Sequence, residues 1–358
     1  MKKKSVSILL CIALTTVMLN GCGTSDNSPS DNTAASDAET AAPEQTADSA
    51  SMTLQLAHVN PGNDDDNLHH TCLTFADQLD KLSGGTIAVK VVGDSQLGTD
   101  REVIEGMQMG TVDMSFSMNS SLGSFLPALQ VFDLPFLFGN RDQVYAVFDD
   151  DAIMDPLKQQ LYEEAGILIL GMGDNGFRNC LNNIKPINSM EDVAGMKLRL
   201  PENAIWSDCF SSFGASPTAM AFSEVYTACQ QGTVDGFELP TASVYSGAYW
   251  EVCDYYSLTE HLFTALDLCI SGMTWDSLTE EQQQWVQEAA DYAMEENRKY
   301  IQEKEAGWLE EIGENMEVNQ CADKSGFTEV AQKVYENYTG EIGQELLDTV
   351  MNKVASVQ

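Results

Sequence analysis

TLQLAHVNPGNDDDNLHHTCLTFADQLDKLSGGTIAVKVVGDSQLGTDREVIEGMQMGTVDMSFS, residues 53–117, reads as strand, helix, strand, helix, strand. Thr53 to Val59 alternates apolar and polar residues, the pattern of a half-buried strand. After a polar loop, Leu73, Ala76 and Leu79 place an apolar stripe on a helix over 68–82, and Ser83-Gly84-Gly85 ends it. Thr86 to Val92 is rich in β-branched residues and reads as a second strand. Arg101 to Met109 is a helix closed by Gly110, and Val112 to Ser117 a third strand. Strands alternating with helices predict an α/β fold, doubly wound with a mostly parallel sheet. In such sheets ligands sit at the carboxyl ends of the strands.

Further along, strands are expected over 166–172, 197–200 and 234–239, with helices over 204–213 and 222–231. Thr279-Glu280-Glu281-Gln282 fits a capping box. Trp285, Ala289, Tyr292, Trp308, Ile312 and Met316 recur at near-helical spacing, which predicts a helix of about 35 residues. A helix that long is expected to cross between lobes.

The N-terminus has the form of a secretion signal. Lys2, Lys3 and Lys4 precede an apolar run from Val6 to Leu19, too short to span a bilayer. Leu19-Asn20-Gly21-Cys22 resembles a lipobox, in which the cysteine carries the lipid; the alternative is an ordinary signal with an incidental cysteine. Residues 23–51 are rich in Ser, Thr, Ala, Asp, Glu and Pro. They lack the apolar surface to offset ordering and read as a disordered tether. The expectation is a lipid-anchored protein on the extracytoplasmic face of the membrane, touching it only through Cys22.

Formal net charge is -37 over 358 residues, with only 18 basic side chains. A field of that sign argues against nucleic acid and anionic lipid as partners. It also gives unusual weight to any arginine held inside the fold. There are five: Arg101, Arg141, Arg178, Arg199 and Arg298. Seven cysteines follow Cys22. They are Cys72, Cys180, Cys209, Cys229, Cys253, Cys269 and Cys321, odd in number and without metal-type spacing. Buried free thiols acting as small hydrophobes fit better than a disulfide scaffold.

Four blocks, in order, resemble the solute receptors of TRAP transporters (tripartite ATP-independent periplasmic transporters), the DctP family, of the sugar-acid type. They are SQLGTDREVIEGMQMGTVDMSF (Ser95–Phe116), FLPALQVFDLPFLF (Phe125–Phe138), FRNCLNNIKPINSMEDVAGMKLRLPE (Phe177–Glu202) and SEVYTACQQGTVDGFELP (Ser223–Pro240). The resemblance spans nearly all of residues 53–320. Cys229 stands where the family usually has leucine, in keeping with a buried apolar role. The resemblance implies a two-lobed periplasmic-binding-protein-like fold, with a ligand cleft between the lobes, hinged closure and a long helix spanning both. It divides the chain into lobe I over 52–176 (with a return segment at 262–278) and lobe II over 177–261. The segment 279–358 then packs across both. It also implies a small and a large membrane subunit as partners. The protein is expected to be a monomer without cofactor, metal or catalytic residues.

The resemblance points to Arg199 as the anchor of a ligand carboxylate, and to Arg178 as a second arginine in the cleft or a structural brace. A guanidinium offers two parallel donors to a carboxylate. Glu238 either accepts from ligand hydroxyls or supports the hinge. Leu239 stands where many relatives have asparagine, so one familiar polar contact is missing. Asn119 is expected to line the cleft, with His58 and Glu102 as further candidates. One carboxylate anchor with several hydroxyl partners predicts a polyhydroxylated acid: a uronate, an aldonate or a keto-sugar acid. The alternatives are a C4-dicarboxylate or another monocarboxylate, an ABC-type receptor, or a binding protein that feeds a membrane sensor. An extracellular enzyme is disfavoured, because no nucleophile elbow, HExxH or P-loop is present.

Overall fold

The computed structural model describes residues 50–357. The expected signal peptide, Cys22 and all but the last two residues of the tether lie outside the described residues. The chain opens as expected, with β1 (Met52–Ala57), α1 (Asn67–Ser83), β2 (Ile87–Val92), α2 (Asp100–Gln108) and β3 (Met114–Met118). Three helices follow, α3 (Asn119–Leu122), α4 (Arg141–Phe148) and α5 (Asp151–Ala165). Then come β4 (Ile167–Asn182), β5 (Lys197–Leu200), α6 (Ala204–Ser212), β6 (Ser216–Ala219) and α7 (Val225–Gln230). Next are β7 (Gly236–Pro240), α8 (Thr241–Ser246), β8 (Tyr255–Ser271), α9 (Gly272–Ser277) and α10 (Glu280–Asn315). The chain ends with β9 (Glu317–Gln320), α11 (Ser325–Ile342) and α12 (Gln344–Ser356).

These strands form one sheet in the order β2-β1-β3-β8-β4-β7-β5-β6, with β9 beside β8. The sheet is mixed, with five of its eight strand pairs parallel. The outer pairs are parallel, but β3–β8, β8–β4 and β4–β7 are antiparallel. The reason is the length of the two central strands. β4 has 16 residues and β8 has 17, and each runs through both halves of the sheet. The first part of β4, with the last part of β8, belongs to the half built on β1–β3; the remainder belongs to the half built on β5–β7.

Where the halves meet, the β4–β8 register shifts between Asp174 and Phe177 and again between Arg178 and Cys180. Gly176 there has φ +92, a conformation that costs glycine little and other residues more. Polar groups fix this crossing. Asn297, buried in the middle of α10, accepts from the Asp174 backbone N–H (2.7 Å) and donates to Asn67 and Thr71 of α1. The Asp174 carboxylate accepts from Arg141 Nε (2.7 Å), Tyr145 Oη (2.5 Å) and the Gly176 N–H (2.6 Å).

α10 has 36 residues and opens on the Thr279–Gln282 capping box; at 1.5 Å per residue it is about 54 Å long. Val286, Ala289, Ala290 and Ala293 pack in the core with Leu54, Phe75 and Phe116. Further along, Ile312 and Met316 pack with Phe237, Tyr249 and Tyr256 in the other half. The helix thus contributes to two hydrophobic cores, one at each end. Among the described residues no helix is long and apolar enough to cross a membrane.

Candidate functional site

β5 carries Arg199 between Leu198 and Leu200, and all three are buried because both sheet faces are covered. Arg199 is only 1% exposed. Its Nε and Nη2 both donate to the Met220 carbonyl (3.0 and 2.6 Å). Among the described residues no carboxylate forms an ion pair with it. Burial pulls its pKa down to about 10, still leaving it charged at neutral pH. It lines a cavity of about 130 Å³. One wall comes from β1–α3 and carries Ser95, Thr99, Asp100, Met118, Ser120, Ser121 and Ser124. The other comes from β5–α7 and carries Pro201, Glu202, Phe222 and Ser223. A narrow extension continues inward past Arg178, Leu239, Asn175 and Ser243.

Arg178 sits on β4, paired in register with Pro240 of β7. That puts Glu238, two residues away on the same face of β7, within reach of its long side chain. The guanidinium donates through Nε and Nη2 to the two carboxylate oxygens of Glu238, and through Nη2 to the Glu238 carbonyl (2.8 Å). Nη1 donates to Thr264 Oγ1 (3.2 Å) and contacts the Met118 thioether sulfur (3.5 Å). The cation lies 4.9 Å over the Trp206 ring. Both partners are almost wholly buried. Burial alone raises a carboxyl's pKa, but Arg178 and His261 together hold Glu238 below its ordinary value. His261 Nε2 is 3.4 Å from Glu238, and burial keeps the imidazole's own pKa lowered. Glu238 is therefore committed to Arg178 and leaves no free carboxylate for a ligand. Only the Arg178 N–H resting on a thioether, a weak acceptor, is open to replacement by a ligand oxygen.

Three other candidates lie away from the cavity wall. Asn119 is buried behind it and donates to the Leu129 carbonyl (3.0 Å) and Asp133 Oδ1 (3.2 Å). Asp133 also accepts from Asn203, the N-cap of α6, and its carbonyl accepts from Trp206. Asn119 thus braces the ring that Arg178 stacks on, through the first residue of the DLPFLF block. Glu102 turns back onto Thr99, closing a capping box at the start of α2. His58 is buried against His69 (3.0 Å), and its ring fills the space a side chain at Gly93 would occupy.

In their place stand residues that the sequence reading passed over. Asp100, the first residue of α2, faces the cavity with a buried Oδ1 that has no partner among the described residues. Burial, partly offset by Arg199, pushes its pKa up to about 6. The Thr99-x-x-Glu102 pattern was a legible signal: it assigns Glu102 to the cap and leaves Asp100 free. No local pattern marks the serines or the Met220 carbonyl. No cluster of metal-ligating side chains occurs among the described residues.

A cleft walled from two halves of one sheet, with a buried arginine and a ring of hydroxyls, is the architecture of a receptor for small solutes. The family model described as "Bacterial extracellular solute-binding protein, family 7" (DctP) matches residues 56–341. A solute-binding protein of Roseobacter denitrificans is 36% identical over 265 residues, covering 73% of this chain and 80% of the relative. The TRAP periplasmic solute-binding protein of Sulfitobacter sp., solved with β-D-galacturonate, superposes with a TM-score of 0.79 at 35% identity, over 85% of this chain and 100% of that one. That of Polaromonas sp., solved with D-erythronate, gives 0.80 at 32%, over 84% and 98%. The chain belongs to this family, the extracytoplasmic solute receptors of TRAP transporters.

Proposed function

We propose that the protein captures a polyhydroxylated monocarboxylate, a uronate or an aldonate, between two lobes that close on it. The observation that carries this reading is Arg199: a buried guanidinium, without a carboxylate partner among the described residues, opening on a cavity ringed by serine and threonine hydroxyls. Arg199 takes the carboxylate. Arg178, fixed by Glu238, offers its Nη1 to the same group. Asp100 and the hydroxyls take the ligand's alcohols. An acidic Asp100 beside the anchor disfavours a second ligand carboxylate, because like charges in a closed cleft repel. The galacturonate and erythronate held by two relatives support this class of ligand.

The lobes follow the division at the β4 register shift: 52–176 with 262–278 on one side, 177–261 on the other. Segment 279–358 spans both. Lipid attachment at Cys22 and the 23–51 tether hold this monomeric receptor at the membrane, where it delivers ligand to a small and a large transport subunit.

A thermal-shift and calorimetry screen of uronates, aldonates, C4-dicarboxylates and sialate tests the proposal. Uronates or aldonates are expected to raise the melting temperature; a response to dicarboxylates alone overturns it. Arg199→Ala removes two charge-assisted hydrogen bonds and is expected to weaken binding by about 100-fold or more, with the circular dichroism spectrum unchanged.

A further inference from the structure

All seven cysteines of the described chain are buried and free, as expected of small hydrophobes. Two of them are also neighbours. Cys229 Sγ on α7 lies 3.4 Å from Cys253 Sγ, in the loop before β8. No other two sulfurs hydrogen-bond among the described residues. The loop is held in place by Asn183, whose side chain donates to the Val252 carbonyl (2.7 Å) and accepts from the Asp254 N–H (2.9 Å). Asn183 also reaches Cys229 Sγ (3.6 Å). Closing from 3.4 Å to the ~2.05 Å of a disulfide requires about 1.4 Å of sulfur movement, within the reach of side-chain rotation and a small backbone adjustment.

We propose that Cys229 and Cys253 form an oxidisable dithiol, a modification site whose co-reactant is a second disulfide, either a small molecule or the active site of a thiol oxidoreductase. The Cys229 thiolate attacks one sulfur of the incoming disulfide, forming a mixed disulfide and releasing one thiolate. The Cys253 thiolate then attacks Cys229 Sγ, and the second thiolate of the oxidant leaves. One dithiol and one disulfide become one disulfide and one dithiol, with both protons passing to the released thiolates. Both sulfurs are buried, so exchange belongs to the exported chain as it folds. Extracytoplasmic compartments are where disulfides persist.

The bond joins two cysteines 24 positions apart in the chain. It ties α7 to the segment that carries Tyr249, whose ring packs on Phe237 (5.0 Å) and Phe222 (6.5 Å). Phe222 belongs to the cleft wall beside Arg199. Oxidation therefore fixes one wall of the ligand site.

The test refolds the full mature chain in glutathione disulfide, alkylates the remaining thiols and maps the peptides under non-reducing conditions. No Lys or Arg lies between residues 200 and 297, so cleavage after glutamate is used; it places Cys229 in 225–238 and Cys253 in 252–260. The expected result is one cross-link joining these two peptides, with Cys72, Cys180, Cys209, Cys269 and Cys321 alkylated. The oxidised protein should unfold at higher denaturant than the reduced one. That difference should vanish in Cys253→Ala, or in Cys229→Ser if the first variant folds poorly. Recovery of both cysteines as separate alkylated peptides from refolded wild type overturns the proposal, as does pairing of either with another cysteine. The wild-type map decides without any variant.

Discussion

Arg178 and Arg199 are equally buried yet chemically opposite. Arg178 has a carboxylate and a hydroxyl to satisfy it; Arg199 has one backbone carbonyl. Removing charge from Glu238 leaves a buried cation without a counter-ion, which typically costs about 3–5 kcal/mol. Glu238→Gln is thus expected to lower the urea midpoint strongly and to weaken ligand binding as Arg178 relaxes. A variant of wild-type stability would remove Glu238 from the framework. His58 makes a second residue-level prediction. Its pKa falls from 6.5 to about 4 on folding, chiefly through burial and then through His69. Between those values the unfolded chain binds the proton and the folded one does not, so stability falls as pH drops from 6.5 towards 4. The contribution is ~3 kcal/mol at pH 4. In His58→Gln the loss between pH 7 and pH 4, followed by urea unfolding, should be smaller by about that amount.

At the scale of elements, α2 separates two roles within one turn. Glu102 closes the cap; Asp100 faces the cleft. Glu102→Ala is therefore expected to lower the urea midpoint slightly and to leave ligand affinity unchanged, read by urea unfolding and calorimetry on the same preparation. A large loss of affinity would return Glu102 to the site. Other elements differ in how legible they were. Alternation located β1 and β-branched composition located β2, each to within two residues, and the capping box and apolar spacing located α10. β4 was expected to stop at residue 172 and continues to Asn182, carried past Gly176 by an irregularity of register at the crossing. β8 was missed over its whole length: buried on both faces, it has no alternation to read. Arg199 was legible from its block and its apolar neighbours. The partners that distinguish Arg178 from it lie on β7 and β8, and strand pairing across the sheet leaves no local trace.

At the scale of the whole molecule, a formal charge of -37 surrounds a site that takes an anion. Long-range repulsion slows encounter, while the buried contact is little screened. Raising ionic strength from ~0.01 M to ~0.15 M should accelerate association of the acid ligand about two- to fivefold and leave dissociation nearly constant. Stopped-flow tryptophan fluorescence, to which Trp206 beside Arg178 contributes, reads both rates. An association rate that falls with salt would mean that the approach to the cleft is locally positive.

The two strands that run through both halves of the sheet constrain how those halves can move. β4 and β8 are bonded edge to edge on both sides of the register shift, so they form a ribbon and not two separate strings. A ribbon resists bending in its own plane and yields across it. Sliding or fanning of one lobe past the other would break ladder hydrogen bonds, whereas folding about the short irregular stretch near Gly176 breaks few. In the closure proposed above, the strand pair would act as a door hinge: it would confine capture to one rotation, so that each closure returns Arg199 and the serine-lined wall to the same alignment.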